Sequence, residues 1–448
     1  MNGMSRTILS ALGRYLTTLA LLVGLSGSAH AMLRIDIAKG GLEPLPIALP
    51  YFVEMDGSGN PQEPGPTGKQ ITDVLTNDLE RSGLFRPLNR QSYLQDPVAM
   101  WKLGVNHRDW RLIGAEALVA GAVHRSGNKL SVDFQLHDVY QGRTIGPGKR
   151  FSVPLESWRT LAHRVADEIY TRLTGEGGYF SSRITFVAQE GRRKWLSVMD
   201  QDGANRLDLT RNESQDLVLT PRFSPNGESL FYISYEGGLP RIFRYDLYSA
   251  RKSMQTEYPG LNSTPSWSPD GTRMALTLSK DGNPEIYVKD LKGARLTRLT
   301  SNAGIDTSPS WSPDGRNIVF NSDRAGSPQL YIMDPNGGDV RRITFQGRYN
   351  AAPSWSPRGD LIAFVRGGEG GFRIAVIDPR GERERVLTNS WMDESPVWSP
   401  NGRVILFSRQ RGDDTRLYTI DLTGHNEREV PLESRLSGSD PSWSALIQ

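Results

Sequence analysis

The 448-residue sequence predicts an α/β N-terminal domain followed by an all-β six-bladed β-propeller, closed by pairing of the C-terminal strand with the first blade. Three observations carry that prediction. A Pro-x-aromatic-Ser block recurs six times in the second half. The chain enters the repeat array at one strand of the unit and leaves it at another, so its two ends are complementary parts of one blade. The first half has no repeat and mixes strand-period with helix-period apolar patterns.

Residues 1–31 read as a secretory signal. Arg6 and Arg14 supply the positive start, Leu16 to Leu25 is an apolar run, and Ala29-His30-Ala31 is an A-x-A site with cleavage expected after Ala31. The run is shorter than the roughly 20 apolar residues a spanning helix needs. A soluble exported product that does not insert in the membrane is expected. Removing the signal's two arginines from 53 basic and 50 acidic residues takes the net charge from +3 to +1. That balance gives no electrostatic basis for binding nucleic acid or a membrane surface. With no cysteine, disulfides, thiolate metal sites and Cys nucleophiles are excluded. Trp, Tyr and Phe (10, 15 and 14) exclude a disordered chain.

Residues 32–174 are expected to form the α/β domain. Leu33-Arg34-Ile35-Asp36-Ile37 alternates as a strand does, and 32–39 is a candidate mobile, partner-binding strand. Leu45 to Val53 is a second strand-like run containing Pro46 and Pro50. Ile71, Val74, Leu75 and Leu79 fall at helical spacing, and Ser82-Gly83 ends that helix. Ala117 to His124 and Leu130 to Val139 read as a hairpin turned at Ser126-Gly127-Asn128, with a further strand over Thr144 to Val153. Trp158, Leu161, Ala162, Val165, Ile169 and Leu173 mark an amphipathic helix. Gly175, Gly177 and Gly178 place a hinge at 175–182, and the propeller occupies 183–448.

The repeat aromatics are Phe223, Trp267, Trp311, Trp355, Trp398 and Trp443, spaced 44, 44, 44, 43 and 45 residues apart, the period of four-stranded propeller blades. In each unit the Pro-Ser-Trp-Ser segment is the first strand and Pro-Asp-Gly or Pro-Asn-Gly is the turn. Asn317 to Asn321, Gln329 to Asp334 and Arg341 to Thr344 illustrate the second, third and fourth strands. Second-strand blocks begin near 183, 229, 273, 317, 361 and 404. The first of these has no first strand before it, and Pro441-Ser442-Trp443-Ser444 supplies one. The aromatics alternate with small serines, so they are expected to wedge between blades as core.

Catalytic signatures are absent from the sequence: no G-x-S-x-G, no H-E-x-x-H and no G-x-x-x-x-G-K-[ST]. Of six histidines only His425 lies in the propeller. No cofactor and no metal site is expected. Asp200, Asp246, Asp290, Asp334, Asp378 and Asp421 recur once per blade at the end of the third strand. With strands about 4.8 Å apart they sit roughly 10 Å outside the channel wall, too dispersed to share an ion, so they are expected to cap the following turn. The alternative function, an exported propeller hydrolase or polysaccharide lyase, has no residues to support it. Asn212-Glu213-Ser214 and Asn262-Ser263-Thr264 match glycosylation sequons at a frequency chance explains.

First strands surround the axis, so the loops preceding them crowd one mouth of the channel: Gly260 to Thr264, Gly304 to Ser308, Arg348 to Ala352 and Trp391 to Ser395. Loops between second and third strands share that face and bring Lys280, Asp281, Asp323, Arg324, Glu369, Arg409, Arg411, Asp413 and Asp414. Apolar side chains within a polar ring are the anatomy of a protein-binding surface.

An export signal, an α/β domain, a glycine hinge and six repeats of the Pro-Ser-Trp-Ser-Pro-Asp-Gly type resemble the TolB family, the periplasmic component of the Tol–Pal cell-envelope system. The resemblance implies a non-enzymatic adaptor acting as a monomer. It implies that the peptidoglycan-associated lipoprotein Pal binds the propeller mouth, through Asn262, Ser263, Thr264, Asp306, Thr307, Ser308, Asn350, Asp393 and Glu394. It implies that TolA, an inner-membrane-anchored protein, binds the mature N-terminal strand, Met32, Leu33, Arg34, Ile35, Asp36 and Ile37. Other outer-membrane proteins are further implied partners, and outer-membrane integrity and constriction at division the implied role. Leu33, Ile35 and Ile37 on one side of a strand suit addition to a partner's sheet edge, and equally docking on the chain's own first domain. Two sites for one strand make a switch whose balance Pal binding would shift.

Overall fold

A computed structural model describes residues 33, 35, 43–211, 217–293 and 295–447. The signal segment with its cleavage site, Met32, Arg34, Asp36, Ile37 and the Asn212 sequon lie outside the described residues. None of the helices among those described is long and apolar enough to cross a membrane.

Strand β1 (Leu45–Ala48), β2 (Val53–Met55) and β3 (Pro61–Gln62) precede helix α1 (Pro66–Arg81) and β4 (Phe85–Pro87). Helices α2 (Pro97–Leu103) and α3 (His107–Leu112) lead into the hairpin β5 (Ala117–Ser126) and β6 (Lys129–Asp138). Then come β7 (Arg143–Thr144), β8 (Lys149–Pro154) and helix α4 (Trp158–Thr174). The single strand expected over Leu45 to Val53 is two. Both lie parallel to β5, with Ile47 opposite Ala117 and Val53 opposite Ala122. Pro50, which has no N–H for the ladder, lies in the interval. The strand expected over Thr144 to Val153 is likewise broken, at Gly146-Pro147-Gly148. Helices α2 and α3 are too short for a periodic signal. Asp96 caps α2, accepting from Ala99 N at 2.8 Å, and proline opens it.

The long strand β5 is covered on both faces, which is why it reads as a nearly continuous apolar run. Ala117, Val119 and Val123 pack with Ile71, Leu75, Leu161, Val165 and Ile169 of α1 and α4. Leu118 and Ala120 pack with Met100 of α2 and Trp110 of α3. Gly121 is needed there, because a Cβ would lie 2.5 Å from the Phe52 ring.

Six four-stranded sheets form the second unit. The first contains Arg183–Glu190, Arg193–Asp200, Leu207–Asp208 and the C-terminal Ser437–Trp443, whose Trp443 lies opposite Ile184 and Ser442 opposite Thr185. Arg183 N donates to Ser444 Oγ at 2.9 Å, and Ser444 N to Arg183 O at 2.9 Å. The tail thus completes the sheet the chain began some 250 residues earlier, and a ring closed in this way leaves no edge facing a missing neighbour.

The innermost strands are Val218–Phe223, Asn262–Trp267, Asp306–Trp311, Tyr349–Trp355, Asp393–Trp398 and Ser437–Trp443. Each slips register at the same point, around its proline. Proline cannot donate to the ladder, so the strand bulges there. The residue just before it takes a positive φ at Thr220, Ser308, Ala352, Ser395 and Asp440, between 44° and 55°. Beyond the bulge the aromatic turns between blades. Trp355 packs on Val319 and Ile332 of one blade and Ile362 and Phe364 of the next. Trp311 and Trp398 do the same at their own seams. The serine beside it also ties neighbouring blades together. Ser266 Oγ accepts from Trp311 N at 3.3 Å and Ser310 Oγ from Trp355 N at 3.0 Å.

The α/β unit sits on one end of the ring. Glu176 is gripped by Arg403 and Arg358, Asn401 Nδ2 donates to Gly177 O at 3.0 Å, and Asn426 Nδ2 to Arg81 O at 3.2 Å. Gln201 Nε2 donates to Asp78 Oδ1 at 2.8 Å, and Trp443 Nε1 to Ser182 Oγ at 2.7 Å. Apart from Trp443, these propeller groups belong to turns joining first to second, or third to fourth, strands. In an antiparallel meander those turns share one end, so the mouth formed by the other loops faces away from the α/β unit. The linker at 175–182 is packed: Asp167 accepts from Phe180 N and Ser181 N, and Tyr179 meets Trp443 edge-on at 5.8 Å.

Candidate partner-binding mouth of the propeller

The side chains expected at the mouth divide into two groups. Asn262, Asp306, Asn350 and Asp393 are each 0% exposed. Each opens or lies near the start of its innermost strand and turns inward to hold the preceding loop. Asn262 Nδ2 donates to Tyr258 O at 2.7 Å and Gly260 O at 3.1 Å. Asp306 accepts from Asn302 and from Arg324, both at 2.7 Å. Asn350 Nδ2 bonds Gln329 Oε1 and Gln346 O. Asp393 accepts from Arg409 Nε and from Ser390, both at 2.6 Å. A short polar residue here ties the start of the innermost strand to the loop before it or to a side chain of a neighbouring strand. These four belong beneath the surface as loop supports.

Ser263, Thr307 and Ser308 are half-buried and Glu394 is exposed; Thr264 follows Ser263 on the same innermost strand. Asn321 Nδ2 donates to Thr307 Oγ1 at 2.7 Å, fixing that hydroxyl on the channel rim. Ser395 Oγ meets Asp440 Oδ1 at 3.0 Å. Although Glu394 is exposed as a residue, the rim partly desolvates its carboxyl, and that, followed by the charge of Asp440, pushes the group above its ordinary range. Arg222 stands where the other blades carry serine or, at Val397, valine, and its guanidinium donates to Pro221 O and Pro441 O.

Arg409, expected as a loop charge, is a buried strand residue. It bridges Asp393 and Glu427 and lies over the Tyr418 ring at 4.6 Å. Those acids hold the guanidinium firmly protonated against the cost of burial.

The exposed large apolar side chains of the mouth loops come from residues that the sequence pattern places only in loops, or does not single out. Trp391 is 68% exposed, Ile305 46%, and Phe345 and Tyr349 are also exposed. Trp391 is held by its backbone: Phe372 N donates to Trp391 O at 2.8 Å, and that oxygen leaves no room for a Cβ on Gly371. The backbone that carries the indole is thus fixed, and the indole itself is presented to solvent. A lone tryptophan among small loop residues was the available signal, since exposed Trp is typical of binding hot spots. Beside it a cavity of about 260 Å³ is lined by Gly347, Arg366, the Gly367–Gly371 loop and Arg373.

At the other end of the molecule, Ile35 is buried, its N–H donating to Leu173 O at 2.7 Å, and Leu33 packs on the α/β core. These two residues dock on the chain's own first unit.

The recurring acids cap turns. Asp246 accepts from Ser249 N, Asp290 from Lys292 N and Gly293 N, Asp334 from Asn336 N, Asp378 from Arg380 N and Glu382 N, and Asp421 from Thr423 N. In the first blade Asp202 takes over, accepting from Ala204 N at 3.1 Å, and the Asp200 carboxylate turns toward Asn205 and Arg159.

Comparison with known proteins agrees with this architecture. The family model of the TolB beta propeller domain matches residues 170–447, and that of the TolB amino-terminal domain residues 33–145. The Tol-Pal system protein TolB of Roseobacter denitrificans is 46% identical over 224 residues, 49% of each chain. That of Dinoroseobacter shibae is 44% identical over 258 residues, 55% of each. The chain spans about half the length of the curated relatives it matches. The crystal structure of TolB from Acinetobacter baumannii superposes with a TM-score of 0.80 at 31% identity, covering 92% of this chain and all of that one.

Proposed function

The chain belongs to the TolB family, and from that premise we propose that it is a non-enzymatic periplasmic adaptor of the Tol–Pal system. In this reading the propeller mouth binds the lipoprotein Pal, and the segment from Met32 to Ile37 binds TolA. The pair of contacts links inner and outer membranes, maintaining the outer membrane and its constriction at division. The observation that carries the reading is the mouth itself. It faces away from the α/β unit and sets Trp391, Ile305 and Tyr349 among polar and charged loops. Ser263, Thr264, Thr307, Ser308 and Glu394 are assigned to the contact surface. Asn262, Asp306, Asn350 and Asp393 are assigned to its support, because none of them reaches solvent.

Calorimetric titration with the soluble domain of Pal tests the assignment. Thr307→Arg combined with Glu394→Arg is expected to weaken binding by at least about tenfold, and Trp391→Ala by a similar factor, with thermal stability unchanged. Unaltered affinity in both variants would refute the mouth. Deleting residues 32–37 is expected to abolish TolA binding and to leave Pal binding measurable; persistence of TolA binding defeats that half of the proposal.

A further inference from the structure

The seam between the two units holds a polar cluster that partner binding at the mouth does not explain. His163 on α4 is almost wholly buried. Its Nδ1 lies 2.6 Å from Asp78 Oδ2 of α1, and Gln201 Nε2 takes the other Asp78 oxygen at 2.8 Å. The second ring nitrogen, Nε2, makes no hydrogen bond. It points at the propeller, with Asp200 Oδ2 3.9 Å away. Ligand atoms of His163, Asp200 and Asp202 all lie within 4.8 Å of one another. Arg159 closes the far side, its Nε 3.4 Å from Asp200 Oδ2 and its Nη2 hydrogen-bonded to Asp202 Oδ2. Asn205 Nδ2 also reaches Asp200 Oδ2, at 2.8 Å.

We propose that this cluster is a zinc site joining the two units, with His163 Nε2, Asp200 and Asp202 as protein ligands and water completing the shell. Two independent observations support it. An orphaned, buried imidazole nitrogen is aimed between two carboxylates, while the ring's other nitrogen faces a third. That is the carboxylate–histidine–metal arrangement, in which Asp78 orients the ring from outside the coordination shell. Secondly, Asp200 is the one member of its six-fold series released from turn capping, and Asp202 performs the capping in its place. Three carboxylates, Asp78, Asp200 and Asp202, face two basic groups, Arg159 and the His163 imidazole, so a dication that replaces the proton on His163 Nε2 balances the cluster's charge. One imidazole and two carboxylates suit zinc over calcium or magnesium, which take oxygen ligands. Tetrahedral ligands about 2.0 Å from zinc lie roughly 3.3 Å apart, so closing the site requires shifts below about 1.5 Å. Coordination needs Nε2 unprotonated; any proton it carries leaves to solvent, while Nδ1 keeps the one bonded to Asp78.

The test uses untagged full-length protein stripped with a chelator and titrated with zinc chloride against a chromophoric competitor. One equivalent is expected to bind with a Kd of about 1 µM or tighter and to raise the melting temperature. His163→Gln and Asp202→Asn are each expected to weaken binding at least about 100-fold, and Asp78→Asn about tenfold. Arg159→Gln, which removes the competing cation, is expected to bind as tightly or more so. Asp202 is partly exposed, so its variant keeps the test valid if His163→Gln does not fold. His137→Gln controls for the other histidine pair, where His107 Nε2 and His137 Nδ1 are 3.4 Å apart. The proposal falls if no stoichiometric zinc binds, if Asp202→Asn binds normally, or if His137→Gln abolishes binding. An ion-pair latch with no metal is the reading those results would leave.

Discussion

At the scale of single residues, each repeat aromatic packs at a seam between two blades of the propeller. Trp355 touches two blades and is nearly buried, so Trp355→Ala removes the wedge from both and is expected to cost about 3–5 kcal/mol in denaturant unfolding. A cost below about 1 kcal/mol would mean that the blades cohere without it. His137 makes a different prediction. Burial, and then its neighbour His107, lower the imidazole's basicity to about 4. Below pH about 6.5 the unfolded chain binds a proton that the folded chain refuses, so the site's contribution is complete above that pH and fades on acidification toward pH 4. Allowing for solvent screening, the loss is about 2 kcal/mol, and His137→Gln should flatten the stability profile over that interval. An unchanged slope would place the titration elsewhere. Residue identities such as the aromatic wedge, tryptophan in five of six repeats, and the aspartates, which cap in five of six, were legible because the repeat displays each position six times. The burial of Asn262, Asp306, Asn350 and Asp393 was not. A polar residue in a loop reads as exposed until its bonding partners, such as Arg409 across the strand pair, are known.

At the scale of elements, turn chemistry and period decided what could be read. Helices α1 and α4 announced themselves because each buries a long apolar stripe. Helices α2 and α3 have six or seven residues and only one fully buried side chain each, Met100 and Trp110, so no period could emerge. The hinge glycines illustrate a limit of composition. Gly175 does end α4, with φ +76°. Gly178 instead marks close packing, because a Cβ there would collide with Asp167 Oδ1, and that carboxylate also anchors the linker through Phe180 N and Ser181 N. Gly178→Ala is therefore expected to destabilise by about 1–3 kcal/mol, by displacing a buried acid from two hydrogen bonds. Gly177→Ala, next to it, meets nothing within 4 Å and should be close to neutral. Equal effects of the two substitutions, read from urea midpoints, would return the segment to the status of a free hinge.

At the scale of the molecule, ring closure and the seam make two differently built units into one mechanical body. The last strand pairs with the first propeller strand, and Trp443 packs both against the first blade and against the α/β core. The same side chain donates to Ser182 of the linker, so the tail that closes the ring also fastens the second unit. Across the seam Arg403 grips Glu176, the first residue beyond the cap of α4, with Arg358 behind it at 3.3 Å. Burial alone would disfavour the Glu176 charge, but the arginines outweigh it and hold the carboxyl below its usual range. A charge-assisted bidentate pair in a partly buried seam is worth about 1–3 kcal/mol, enough to decide whether two units of this size melt together. The intact protein is expected to show one calorimetric transition. Arg403→Ala should separate it into two, the α/β unit melting first, because its one sheet, packed on two faces, lacks the sixfold redundancy of the ring. A single transition moved down intact would mean that the aromatic contact of Tyr179 with Trp443 couples the units unaided, and the double variant with Trp443→Ala would then have to divide them.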